Sequence, residues 1–200
     1  MMSPFKKIYG LYLCVLVFMP EQVKAQKFLI PQTAMVQRAG SIGYTSFGAG
    51  YNLFRKKTGS LDFIWGYVPK SKGGRQDIFA AKFAYRPLNI KIKDLVVISP
   101  LNPGVFVSHH PGGKFHTTFD KNQYPDEYYW WSSAVRVHLS LSTEIKINTP
   151  ESLTRTGIDQ VGFYTELNTN DLYAVSWFKN RDHLPFRDII KLGFGLKAYF

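Results

Sequence analysis

Apolar and polar residues alternate with a period of two along most of this chain. Phe47, Ala49, Tyr51 and Leu53 alternate with Ser46, Gly48, Gly50 and Asn52. After a turn at Arg55 to Ser60, an apolar face returns at Leu61, Phe63, Trp65 and Tyr67. Ser71-Lys72-Gly73-Gly74 marks the next turn, and Phe79, Ala81, Phe83 and Tyr85 then alternate with Ala80, Lys82, Ala84 and Arg86. The cleanest alternation puts Val135, Val137, Leu139, Leu141, Thr143, Ile145 and Ile147 on one face and Arg136, His138, Ser140, Ser142, Glu144 and Lys146 on the other. Successive side chains of a strand point to opposite faces, so this period predicts strands rather than helices. The pattern predicts eight of them: 46–53, 61–67, 79–86, 96–108, 135–147, 161–168, 172–178 and 190–200. The fifth spans 13 residues, against about five or six in an ordinary soluble sheet. Between 87 and 127 the prolines Pro87, Pro100, Pro103 and Pro111 blur the reading, and 109–127 is expected to be a polar loop.

No apolar run of 18 or more residues follows the first 25, which excludes a helical membrane protein but not a membrane barrel, whose strands average out to neutral hydropathy. The expected fold is all-β, an antiparallel up-and-down transmembrane β-barrel of about eight strands. Alternation alone does not say which face is inside. Two features favour an apolar exterior. The polar face carries Lys82, Arg86, Arg136, His138, Glu144 and Glu166, which can neutralise one another in a narrow lumen. The aromatics Tyr67, Tyr85, Tyr128, Tyr129, Trp130, Trp131, Trp177 and Phe178 stand toward strand ends, where interface girdles lie. The rival is a soluble periplasmic barrel binding an apolar ligand. One feature fits the membrane barrel badly: with both termini periplasmic, this strand count puts the long 109–127 loop on the periplasmic side too, where turns are usually short.

The first 25 residues have the form of a secretory signal peptide. Lys6 and Lys7 precede the apolar stretch Ile8 to Met19, and Val23-Lys24-Ala25 places cleavage before Gln26. The division is therefore 1–25 signal peptide and 26–200 barrel domain. The chain's single cysteine, Cys14, leaves with the leader, so no disulfide framework is expected. The end of the chain, Phe194-Gly195-Leu196-Lys197-Ala198-Tyr199-Phe200, resembles the C-terminal strand of bacterial outer-membrane β-barrel proteins, which closes on an aromatic residue. The Tyr-rich strands and the Ala-Gln junction are similar to small barrels of Bacteroidota-like bacteria. The resemblance implies residence in the cell outer membrane. It also implies recognition by the barrel-assembly machinery through the last strand, with Gly195 and Phe200 as the assembly signal. Ala198 and Gly193 depart from the pattern, where an aromatic and a polar residue are usual.

The chemistry suggested by the residues is sparse. An eight-stranded barrel is largely filled by its own side chains, so no solute pore is expected. The polar stripe predicts a lumen ladder of Arg136, His138, Ser140, Glu144, Lys146 and Glu166. The same stripe also reads as a hydrolase: His138 and Ser140 share a face, and a symmetric loop at 149–155 would set Glu166 across from His138. The His-x-Ser spacing resembles outer-membrane lipid A deacylases, which implies a lipid-modifying hydrolase, although Leu141 and Ser142 stand where that family carries an Asn. His109, His110 and His116 lack neighbouring carboxylates or cysteines at ligand spacing, so no metal and no other cofactor is expected. Gly48-Ala49-Gly50 reads as small residues lining a narrow lumen rather than a phosphate loop. The 200 residues carry a formal charge of +11, which loss of Lys6, Lys7, Lys24 and Glu21 with the leader lowers to +9. The excess collects at Arg55-Lys56-Lys57, Lys70 to Arg75 and Lys179 to Arg187. On an exported barrel this argues for outer-membrane lipid and lipopolysaccharide phosphates rather than nucleic acid as partners, or for solvated turns. A monomer with a structural, adhesive or surface-interaction role is the expectation.

Overall fold

In a computed structural model, residues 29–93, 95–118 and 128–200 are described. The leader with its cleavage site, and positions 119–127 of the polar loop, lie outside the described residues. Gln32–Phe200 forms one unit. It contains the strands β1 (Thr33–Ala39), β2 (Thr45–Leu53), β3 (Gly59–Val68), β4 (Gln76–Tyr85), β5 (Ile90–Ile92), β6 (Val96–His109), β7 (Val135–Asn148), β8 (Gln160–Asn170) and β9 (Lys191–Tyr199). A helical turn, α1 (Glu151–Thr154), lies between β7 and β8, and a helix, α2 (Asp171–Lys179), between β8 and β9.

Each long strand pairs antiparallel with its neighbours in the order β4-β3-β2-β1-β9-β8-β7-β6, and β4 pairs with β6 to close the ring. The result is a closed, antiparallel eight-stranded barrel, with β5 a short flap on the start of β6. Closure removes the sheet edges that would otherwise present unpaired backbone groups. Pro100 and Pro103 supply no N–H, and the β6–β7 ladder shifts register between Ser99 and Asn102 to accommodate them.

The strand total agrees with the sequence pattern, but its membership does not. β1 was absent from the pattern because TAMVQRA mixes polar and apolar residues on both faces. The expected strand 172–178 is instead the helix α2, which Asn170 caps by accepting a hydrogen bond from the Tyr173 N–H at 2.8 Å. These two corrections move the long loop. With β1 counted, the start of β1, the end of β9, the 54–58 turn, residues 86–93 and the 149–159 loop lie at one end, and residues 110–118, 128–134 and α2 lie at the other.

Burial is inverted relative to a soluble domain. On β7, Leu139 is 66% exposed and Leu141 43%, whereas Arg136 is 9%, His138 1% and Glu144 5% exposed. The same holds around the ring: Phe47, Phe63, Trp65, Phe79, Phe163 and Leu196 point outward, while Asp62, Lys82, Glu166 and Lys197 are buried inside. The interior is not uniformly polar. Met35, Ile42, Ile64, Ile78, Ala80 and Phe106 form an apolar cluster within it. Ile42 reaches in from the β1–β2 loop so closely that a Cβ on Gly66 would lie 1.5 Å from the Ile42 carbonyl oxygen, so only glycine fits there.

Candidate functional site

The inward-facing charges are paired across the lumen. Lys197 Nζ lies 3.0 Å from both carboxylate oxygens of Asp62. Lys82 pairs with Glu166, and Arg86 Nε lies 3.5 Å from Glu144. The Tyr199 hydroxyl donates to Glu144, and Lys146 sits over the Tyr199 ring at 5.3 Å. Tyr164 crosses the lumen to donate to Gln37 Oε1 at 2.8 Å. It can do so because β9 carries Gly195 opposite it: a Cβ there would come within 2.5 Å of Tyr164 Cζ. Cations and carboxylates buried in this way are tolerated only when paired and hydrogen-bonded. The free space left among Asp62, Lys82, Arg86, Glu144, Tyr164 and Lys197 is about 30 Å³, roughly one water molecule.

Of the expected ladder, Arg136, His138, Ser140, Glu144 and Glu166 are all buried inside, and Lys146 is half-buried. They do not form one ladder. Glu144 and Glu166 belong to the lumen pairs, while Arg136 and His138 belong to the end that carries the long loops. Gly195 makes room in the interior, and the exposed Phe200 donates its backbone N–H to Gln32 O at 3.0 Å, so the last residue is tied to the start of β1.

The hydrolase geometry is not assembled. The β7–β8 loop runs to residue 159 because α1 lengthens it, so His138 pairs with Asn170 and Glu166 with Ser142. Glu166 is thus displaced by four residues from His138, about 13 Å along the strand, and is held by Lys82 and Asn168. His138 Nε2 bonds Ser108 Oγ at 2.8 Å, not Ser140, whose own hydroxyl is buried with no hydrogen-bond partner among the described residues.

The sequence pattern missed a second group at the long-loop end. A pocket of about 310 Å³ opens there, lined among others by Gln76, His110, Arg136, His138, Tyr173 and Lys191. His138 stacks flat on Phe106, with centroids 4.1 Å apart and planes 9° apart. A chain of hydrogen bonds reaches it. The Gln76 carboxamide nitrogen lies 2.7 Å from His110 Nδ1, His110 Nε2 lies 3.2 Å from Ser108 Oγ, and Ser108 Oγ lies 2.8 Å from His138 Nε2. A carboxamide nitrogen only donates. His110 Nδ1 therefore accepts, its Nε2–H donates to Ser108, and Ser108 Oγ also meets His138 Nε2. His138 Nδ1, the other ring nitrogen, is buried and has no partner among the described residues. Burial, and then the positive charges of Arg136 and His109, hold His110 below the usual histidine range, so it is neutral near pH 7.

Arg136 lies 3.9 Å from Asp171 and 5.3 Å from the centre of the Tyr129 ring. Burial pushes the Tyr129 phenol well above its usual range, and the nearby Asp171 adds to the shift. Asp171 is shared widely, accepting also from the N–H groups of Leu172 at 2.8 Å and Val137 at 3.4 Å. His109, His110 and His116 do not converge: His109 ends β6, His110 faces the pocket, and the His116 backbone bonds Ser132 and Ser133. Among the described residues no three or more His, Cys, Asp or Glu side chains are grouped to hold a metal ion.

Compared with known proteins, the chain matches no family model, no curated protein and no solved structure. The functional reading therefore rests on the barrel itself.

Proposed function

We propose that this chain is an outer-membrane β-barrel with a structural or surface-interaction role, without a solute pore. The observation that carries the proposal is the inverted burial: the greasy stripe of every long strand is outside and the ion-paired residues are inside. In water, a continuous apolar wall of this extent would drive association. Against acyl chains it is at its lowest free energy, and closure satisfies every interior ladder without solvent. Strands of about 10 residues, tilted as in closed barrels, give a wall roughly 25 Å tall, the height of a barrel's apolar band.

The end holding the start of β1 and the end of β9 has the five-residue 54–58 turn beside the longer β4–β6 and β7–β8 connections, and the other has residues 110–118 and 128–134 and α2. Aromatics and cations gather at the long-loop end: Lys179 lies over Tyr128 at 5.1 Å, and Arg181 over Trp177 at 4.8 Å and Phe178 at 4.7 Å. Such pairs suit the level of lipopolysaccharide phosphates. Interior ion pairs and the inserted Ile42 and Phe106 argue against a channel. The separation of His138, Ser140 and Glu166 argues against the lipid-modifying hydrolase, and the orientation of β7 argues against a soluble barrel enclosing an apolar ligand. The signal-like leader and the C-terminal Phe200 support export and delivery by the barrel-assembly machinery.

Fractionation of expressing cells tests the proposal. The chain should pellet with outer membranes, resist salt and alkaline extraction, and migrate differently on gels before and after boiling. Recovery in the soluble periplasmic fraction would overturn it.

A further inference from the structure

We infer that the pocket at the long-loop end binds an anionic solute of monosaccharide size, held through its carboxylate or phosphate by Arg136 and Lys191 with His138 beside them. This deepens the surface-interaction role and rests on that reading for the side from which the solute arrives. Four observations converge. The volume, about 310 Å³, is at the small end of the range for ligand pockets. Among the described residues, the charged side chains lining it are Arg136 and Lys191, with no lining carboxylate. Asp171 stands next to Arg136 rather than on the pocket wall, and it is divided between that cation and two backbone amides. His110 is neutral and committed to Gln76 and Ser108, so it adds no charge.

The third group is His138. Its Nε2 is engaged by Ser108, and its Nδ1 is a buried ring nitrogen with no partner among the described residues. With its proton on Nδ1 the ring is an unmatched buried donor, and an oxyanion is the partner that removes that cost. Phe115 and Tyr173 add flat apolar walls suited to a sugar ring. Lys191, half-buried over Tyr173 at 5.2 Å, is placed at the rim, where its ammonium donates to the Asp188 carbonyl at 3.4 Å and has two further N–H groups to offer the solute.

The test uses the full barrel folded in detergent micelles, with heat-modifiable migration checked first for every variant, and calorimetric titration with glucuronate, glucose 1-phosphate, inorganic phosphate and glucose. Glucuronate and glucose 1-phosphate should bind, glucose should not, and inorganic phosphate should bind more weakly than glucose 1-phosphate. Lys191→Gln should weaken binding about fivefold, the upper range for a half-exposed charge pair. Lys70→Gln, on another loop at the same end, should leave it unchanged. In side-chain nitrogen spectra the His138 Nδ1 signal should shift on addition of glucuronate. Absence of heat with both acids, equal binding of glucose, or indifference to Lys191→Gln in folded barrel would overturn the site. Inorganic phosphate binding as tightly as the sugar acids would overturn its monosaccharide size. Failure of the membrane reading would appear separately, in the fractionation.

Discussion

Replacing Asp62 with Asn tests whether the lumen network holds the barrel together. Asp62 is 2% exposed and Lys197 6%, and both carboxylate oxygens meet the ammonium at 3.0 Å. Ser60 Oγ donates to the same carboxylate at 3.3 Å. The neighbouring strand contributes by absence: a Cβ on Gly50 would come 2.0 Å from Asp62 Oδ1. Asn keeps the shape and removes the charge, leaving Lys197 buried without its counter-ion. Breaking one partner of a buried pair costs about 3–5 kcal/mol, a large share of the roughly 5–15 kcal/mol that holds a native domain. With a urea slope of about 2 kcal/mol per molar, the unfolding midpoint of the barrel in lipid vesicles, followed by tryptophan fluorescence, should fall by about 2 M. The double variant Asp62→Leu, Lys197→Met should lie within about 1 kcal/mol of the native chain, because removing both charges removes the desolvation cost along with the attraction. The reasoning is refuted if Asp62→Asn shifts stability by less than about 0.5 kcal/mol, as a surface change would, or if the two single losses simply add.

Three further outcomes follow from the same geometry. Gly195→Ala should cost about 1–3 kcal/mol by forcing a Cβ into the Tyr164 ring, and should cost little in a Tyr164→Ala background; equal costs in both would contradict the contact. His110, held below its ordinary value of 6.5, binds its proton less readily folded than unfolded. Its contribution to stability is therefore complete above pH 6.5 and declines as pH falls through that value. His110→Gln should flatten that part of the unfolding–pH profile, and an unchanged profile would count against the buried neutral ring. Ser140→Ala should be neutral or slightly stabilising, since it deletes a buried hydroxyl with no partner among the described residues, and should leave the cell's lipid A pattern unaltered; a changed pattern would revive the hydrolase.

The barrel was legible in the sequence wherever one face of a strand is bulky and apolar and the other is not. β7, with Leu139 and Ile145 set against His138 and Glu144, announces itself. β1 does not, because its inward residues Thr33, Met35 and Gln37 and outward residues Ala34, Val36 and Arg38 differ little in polarity, and its register is set by β2 and β9. Residues 172–178 alternate Leu, Tyr, Ala, Val, Ser, Trp and Phe in a way that suits a strand. The Asn170 cap and Asp171 in the first turn decide for a helix, with the chain already outside the ring of strands. The His138–Glu166 juxtaposition failed through loop length alone: α1 moved the β7–β8 register by four residues, and no alternation within the strands records that. The pocket at the long-loop end was invisible for a related reason. Gln76, His110, Arg136 and Lys191 come from four separate segments that only closure of the barrel brings together.

The central claim, that the apolar stripe meets acyl chains, is tested most directly by the environment of Leu141. In chains carrying Cys14→Ala, single cysteines at Leu141→Cys and Ser140→Cys would be labelled with a small fluorophore and the barrels folded into vesicles containing brominated acyl chains. The label at 141 should be quenched strongly by the brominated lipid and spared by aqueous iodide, with the label at 140 quenched weakly by both. Iodide quenching at 141 with no effect of brominated chains would place that stripe in water and contradict the account.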